Sequence, residues 1–173
     1  MKSFSTRRLT YLAVLTAVAL TIFVIEAQLP PLAPIPGIKL GLANVVTVYA
    51  VFALGPGQAG LVLLARILLG SLFAGGMTLF YSLAGGLCCY LVTLATWRLL
   101  GPRLVWACSM LGAMAHNVGQ IAVAVAITRT PAVAAYLPIL LVSGIVTGVF
   151  TGLCAQFLLS RLPRPGPPGR GGS

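Results

Sequence analysis

The sequence predicts an all-α polytopic membrane protein: a bundle of six transmembrane helices with no soluble domain. Of its 173 residues, 59% are hydrophobic and only 7% charged. A soluble domain carries about a quarter charged residues to keep its surface in water. Asp and Glu together number one, so a solvated surface of mixed charge cannot be assembled. The apolar residues gather in six stretches, at 9–27, 38–54, 57–75, 77–100, 104–127 and 132–160, and about 20 such residues cross the hydrocarbon core as a helix.

The first stretch follows a basic N-terminus, residues 1–8, with Lys2, Arg7 and Arg8. That layout imitates a secretory signal, but Ile25-Glu26-Ala27-Gln28 stands where a small-x-small cleavage site belongs, so a retained helix is expected. A Pro-rich run, Gln28 to Gly37, makes the longest internal connection. The second stretch is short for a span and is expected to tilt or to be shielded by its neighbours. Gly55-Pro56-Gly57, Gly75-Gly76 and Gly101-Pro102 separate the next spans, because these residues interrupt helices and favour turns. Pro138 lies inside the last stretch, and proline is tolerated only in a helix's first turn. The last helix is therefore expected to begin near it. Residues 161–173, rich in Pro, Gly and Arg, read as a disordered tail able to touch anionic lipid.

The net charge of +10 raises the question of nucleic acid. Nucleic-acid binders cluster their cations on one face of a polar domain, whereas here they sit at the ends of apolar runs, so that class is set aside. Six spans place Lys2, Arg7, Arg8, Arg98, Arg103, Arg161, Arg164 and Arg170 on one side, with only Lys39 and Arg129 opposite. The positive-inside rule then puts both termini in the cytoplasm, with the spans in the inner or plasma membrane.

Helices in lipid associate through close packing of small residues rather than through the hydrophobic effect. Gly144, Gly148 and Gly152 recur every fourth residue in the sixth span, and Ser82, Gly85, Gly86, Cys89, Thr93 and Thr96 line one side of the fourth. Both patterns predict helix-packing seams. Ala13 and Ala17 form a similar pair on the first span. Two readings stand for them, internal packing or a docking face for a second membrane protein.

Polar groups at membrane depth are the candidates for function. Arg66 falls roughly 14 Å into its span at 1.5 Å per residue. Inserting an arginine there costs on the order of 3 kcal/mol, which its many Leu and Ile neighbours offset at about 0.5 kcal/mol each. It must face the bundle interior. His116, Asn117 and Gln120 crowd one turn of the fifth span, as a ligand site or as a structural hydrogen-bond network. Lys39, Asn44 and Glu26 lie towards the outer surface. Glu26 is the only carboxylate. Pairing across the loop with Lys39 is the less demanding arrangement for it, since a bridge to Arg66 needs a vertical offset between helices.

Several chemistries are excluded. There is no phosphate-binding Gly-x-x-x-x-Gly-Lys-Ser/Thr loop, no pair of carboxylates to hold Mg²⁺, and one histidine without companions for zinc. Cys88, Cys89, Cys108 and Cys154 lack metal or redox spacing and read as small apolar residues. No metal, no cofactor and no catalysis are expected, so binding or transport remains.

Pro36-Gly37-Ile38-Lys39-Leu40-Gly41-Leu42-Ala43-Asn44, Arg66-Ile67-Leu68-Leu69-Gly70-Ser71, Ser82-Leu83-Ala84-Gly85-Gly86, Ala115-His116-Asn117-Val118-Gly119-Gln120 and Ser143-Gly144-Ile145-Val146-Thr147-Gly148 occur in an order that resembles the Gx transporter family. That family is labelled heptaprenyl diphosphate synthase component I. The resemblance covers about residues 9–160. The family is similar to the substrate-binding S-components of energy-coupling-factor transporters, which have six helices and bind a small molecule at the outer side. The resemblance implies docking through Ala13 and Ala17 onto a membrane coupling subunit, with ATP hydrolysis by partner ATPase subunits. The synthase label departs from the residues, because prenyl diphosphate synthases hold Mg²⁺ with Asp-rich motifs and this chain contains no Asp. The reading is a capture subunit for a small anionic metabolite, such as a vitamin or an isoprenoid or quinone precursor. Lys39, Asn44, Arg66, His116, Asn117 and Gln120 are its expected binding residues. A non-catalytic accessory role in heptaprenyl diphosphate or menaquinone synthesis is the alternative.

Overall fold

A computed structural model describes residues 6–28 and 39–162. Six α-helices follow one another: α1 Thr6–Glu26, α2 Asn44–Leu54, α3 Pro56–Ala74, α4 Gly76–Leu100, α5 Val105–Thr128 and α6 Leu137–Arg161. A short 3-10 turn, Pro131–Tyr136, leads into α6. All but α2 are long and apolar enough to cross a membrane. Leu68, Leu72, Phe73, Leu91, Val146 and Phe150 are exposed on their outer faces, as a lipid-facing surface requires.

The expected boundaries shift at the first and second stretches, while the last helix begins beside Pro138 as expected. The first helix begins at Thr6 rather than after a separate basic segment. The last runs to Arg161, with Pro138 in its first turn; the tail beyond Leu162 lies outside the described residues, as does most of the Pro-rich connection. The largest change concerns 38–54. Of its described residues, 39–54, only Asn44–Leu54 is helical, 11 residues, or about 16 Å at 1.5 Å per residue. That is roughly half the hydrocarbon thickness. Residues 39–43 are not helical.

Two contacts fix the relative direction of the helices. The Tyr11 and Tyr49 hydroxyls hydrogen-bond at 2.6 Å, and the Tyr90 hydroxyl donates to the Pro56 carbonyl at 2.7 Å. The first part of α1 therefore lies beside the middle of α2, and the start of α3 beside the later part of α4. The half-helix α2 touches every other α-helix, and Val46 to Val51 are all buried. Non-helical backbone at membrane depth is tolerated where protein encloses it, and residues 41, 43 and 44 are indeed buried.

The most extensive packing is of α5 against α4 and α6. Gly144, Gly148 and Gly152 of α6 lie directly on α5: a Cβ at Gly148 would stand 2.6 Å from the Met110 Cα, and one at Gly152 2.5 Å from the Trp106 Cα. Ser109 and Thr151 hydroxyls bond across the same seam at 3.0 Å. On the other side Gly119 meets the Ala84 carbonyl, and Gly112 meets Thr93 and Cys89. In α1, Leu12, Ala19, Phe23 and Glu26 are buried while Ala13 and Ala17 are exposed.

A side chain at Gly152 has backbone in its way and cannot be accommodated by a rotamer change. Gly152→Val should lower stability by about 1–3 kcal/mol, the usual cost of overpacking, seen as a fall in the melting temperature in detergent. Val146→Leu, on the exposed face of the same helix, should leave it unchanged.

Candidate functional site

The break before α2 organises the polar residues. Gly41 adopts φ 79°, which an L side chain takes up only at a cost. A Cβ there would also lie 2.7 Å from Asn44 Nδ2 and 3.2 Å from His116 Nε2, so backbone angle and close approach both demand glycine. The turn delivers the first amides of α2 to internal acceptors: Asn44 N–H donates to the Gly41 carbonyl, Val45 to Leu42 and Val46 to Ala43. Gly41 N–H donates to Glu26 Oε1 at 2.5 Å, and the Ala43 amide is directed at the same carboxylate. The chain's one carboxylate thus stands at the N-terminus of the half-helix, where the helix dipole favours negative charge. One residue pair further back, Lys39 N–H donates to Gln120 Oε1 at 3.4 Å.

This corrects the expected Glu26–Lys39 pair. Among the described residues the Lys39 ammonium has no hydrogen-bond partner, and it sits over the Phe23 ring, 3.4 Å from its centroid. Cation–π attraction supplies a partial substitute for a carboxylate. Glu26 is nevertheless close enough to Lys39 and Arg66 to feel both charges.

Arg66 and His116 are each only 4% exposed, so neither points at lipid. Adjacent glycines of α4 receive them: Gly85 packs against the imidazole and the Gln120 stem, and Gly86 lies near Arg66 Nη2. Arg66 Nη2 donates to Asn44 Oδ1 at a long 3.5 Å. With Asn44 also beside Gly41 and the imidazole, the structure brings together Asn44, Arg66, His116 and Gln120, with the Lys39 backbone tied to the last of these.

Asn117 goes elsewhere. Its Nδ2 donates to the Leu140 carbonyl of α6 at 2.5 Å, at the seam where Gly144 makes room for it. It is a helix–helix strut in this arrangement, about 100° round α5 from His116.

The cluster is poor in acceptors. Among the described residues, Lys39 Nζ, Asn44 Nδ2, Arg66 Nε and the His116 ring nitrogens are buried without a partner in hydrogen-bond geometry, the imidazole lying against the Gly85 backbone. Three of these are donors, and the imidazole adds an N–H. Two cations face one carboxylate that is already engaged by backbone amides. Buried donors left unpaired each cost about 1–3 kcal/mol, so the arrangement is chemically matched to an acceptor-rich anion. A cleft of about 380 Å³ opens beside it between α1, α3 and the start of α4, lined by Phe23, Lys39, Phe73 and Thr78 among others. Among the described residues no group of three or more His, Cys, Asp or Glu could hold a metal.

Sequence reasoning missed Gly41 as the pivot and Glu26 as the partner of α2's amides. A glycine three residues before a helix start was the available signal for the first. The second depended on a loop bringing α2's start to the end of α1.

Fold and cluster together define a multi-pass helical membrane protein with a buried, donor-rich polar site. A model of the heptaprenyl diphosphate synthase component I family matches residues 15–158, and the chain belongs to that family. No curated protein matches it, and no solved structure does.

Removing the Glu26 carboxylate should expose α2's start. Glu26→Ala is expected to cost roughly 1.5–3 kcal/mol, the value of a hydrogen bond to a charged group, with Glu26→Gln intermediate, both read from thermal unfolding in detergent.

Proposed function

We propose that this protein is a membrane capture subunit for a small anionic metabolite, working as an S-component-like part of an energy-coupling-factor type transporter. The observation that carries the reading is the set of donors on Lys39, Asn44, Arg66 and His116 left unpaired among the described residues and gathered at the break before α2. A carboxylate or phosphate would satisfy Arg66 and Lys39 by charge-assisted bonds, while Asn44, His116 and Gln120 would fix its orientation. Asn117 supports the site from the α6 side. Both termini would face the cytoplasm, with the cleft beside Lys39 on the outer side.

Alternating access needs an energy source. The sequence carries no nucleotide-binding loop, so a membrane coupling subunit and its ATPases would supply it. Ala13 and Ala17 lie on an exposed strip of α1 flanked by Val14 and Val18. That strip suits close approach of a partner helix.

The family's description favours a second reading, a non-catalytic membrane partner of a heptaprenyl diphosphate synthase. The lack of any Asp leaves Mg²⁺-dependent prenyl transfer to the partner. Co-purification separates the two: coupling and ATPase subunits support transport, a soluble prenyl synthase supports the accessory role.

Native mass spectrometry of the purified protein with a pool of carboxylate and phosphate metabolites should reveal a retained ligand. Arg66→Ala and His116→Ala should each weaken it at least about tenfold, by loss of roughly 1.4 kcal/mol or more. Unchanged retention in both would remove the site.

Docking is tested separately. Ala13→Leu with Ala17→Leu should abolish association with a coupling subunit in pull-downs while ligand retention persists; undiminished association would discard the proposed face.

A further inference from the structure

At the arginine-rich end of the bundle, away from the Gly41 cluster, a cleft of about 730 Å³ opens between the ends of α2, α4 and α6 and the start of α5. Its wall is largely apolar and aromatic, with Gln156 and Ser160 also on the α6 side. Phe52 and Trp97 meet edge to face with centroids 6.2 Å apart, and Val105 and Leu159 continue the surface. Arg98 and Arg103, on either side of the Gly101-Pro102 turn, both line the cleft.

Among the described residues these two guanidiniums have no carboxylate to pair with. The only acidic residue, Glu26, is committed to the amides before α2. An arginine's planar fork matches phosphate oxygens in a bidentate way that a solvated lysine does not. The helix that carries Arg98 is 25 residues long, about 37 Å at 1.5 Å per residue, so its end emerges from a hydrocarbon core of about 30 Å. Trp97 stands at that level, where tryptophan commonly marks the interface. The cleft volume falls within the range of small-molecule sites.

We infer that this cleft is a binding site for a phosphate-bearing amphiphile, with the phosphate on Arg98 and Arg103 and the first part of an apolar tail along Phe52, Trp97, Val105 and Leu159. The same chemistry is presented by an anionic bilayer phospholipid and by a prenyl diphosphate ester arriving from water. The inference is independent of the proposed capture function, because it uses none of the residues of the Gly41 cluster.

The test uses the full chain in phosphatidylcholine nanodiscs, with retention measured by native mass spectrometry for four probes: farnesyl diphosphate, phosphatidylglycerol, farnesol and inorganic diphosphate. At least one of the two phosphate-bearing amphiphiles should be retained at one copy, with farnesol and inorganic diphosphate held at least about tenfold more weakly. Preference for farnesyl diphosphate identifies a soluble ester as the occupant, and preference for phosphatidylglycerol a bilayer lipid. Arg98→Gln with Arg103→Gln should reduce retention at least about tenfold, since each charged hydrogen bond contributes that order. Leu159→Trp, which narrows the cleft without changing charge, should reduce it too. Arg7→Gln with Arg8→Gln removes equal charge from the same end and should leave retention intact. An equal loss in that control, retention of inorganic diphosphate as strong as that of the amphiphiles, or no retained amphiphile at all would overturn the inference.

Discussion

A backbone that breaks part-way through a membrane leaves amides which neither water nor lipid can satisfy, and that constraint shapes this protein. Here the break precedes α2. Its amides turn to Gly41, Leu42 and Ala43 carbonyls, to the Gln120 side chain and to the Glu26 carboxylate. The two side-chain acceptors are held by different elements. Glu26 terminates α1 and Gln120 sits within α5, so the half-helix can be seated only when both have docked. The same requirement explains why α2, the shortest helix, is surrounded by all the others.

Satisfying that break draws the polar side chains together. Asn44 opens α2 and reaches Arg66 on α3, while His116 and Gln120 sit one turn apart on α5 and press against Gly85 of α4. Glycine recurs wherever two of these groups must approach, at 41, 85 and 86. The α5–α6 seam, with Gly144, Gly148 and Gly152 on α5 backbone, holds the wall behind the cluster rigid and uses Asn117 as a cross-tie. The result places an excess of donors at depth, surrounded by packed helices.

The two ends of the bundle differ for a simple reason of composition. With a single acidic residue spent at the α2 break, Arg98 and Arg103 at the other end stand exposed with no carboxylate beside them among the described residues. Charge there is available for something outside the chain, and the aromatic wall beside it gives that charge a specific setting.

Much of this was legible in the sequence. Apolar runs of about 20 residues, with glycine and proline between them, fix where five long helices begin and end within a few residues, because in lipid a helix is the structure that satisfies its own backbone. Arg66, His116 and Gln120 could be assigned to the interior because hydrocarbon penalises them elsewhere. The half-length of α2 was less visible: the apolar stretch runs on from α2 without a break in composition, and only enclosure by neighbours lets residues 39–43 be non-helical. Tertiary structure alone decided that Glu26 meets backbone amides rather than Lys39, that Lys39 rests on Phe23, and that Asn117 turns to α6 while its neighbour His116 turns to α4. Those choices depend on which helix happens to stand within a few ångströms, and hydrophobic periodicity carries no information about that.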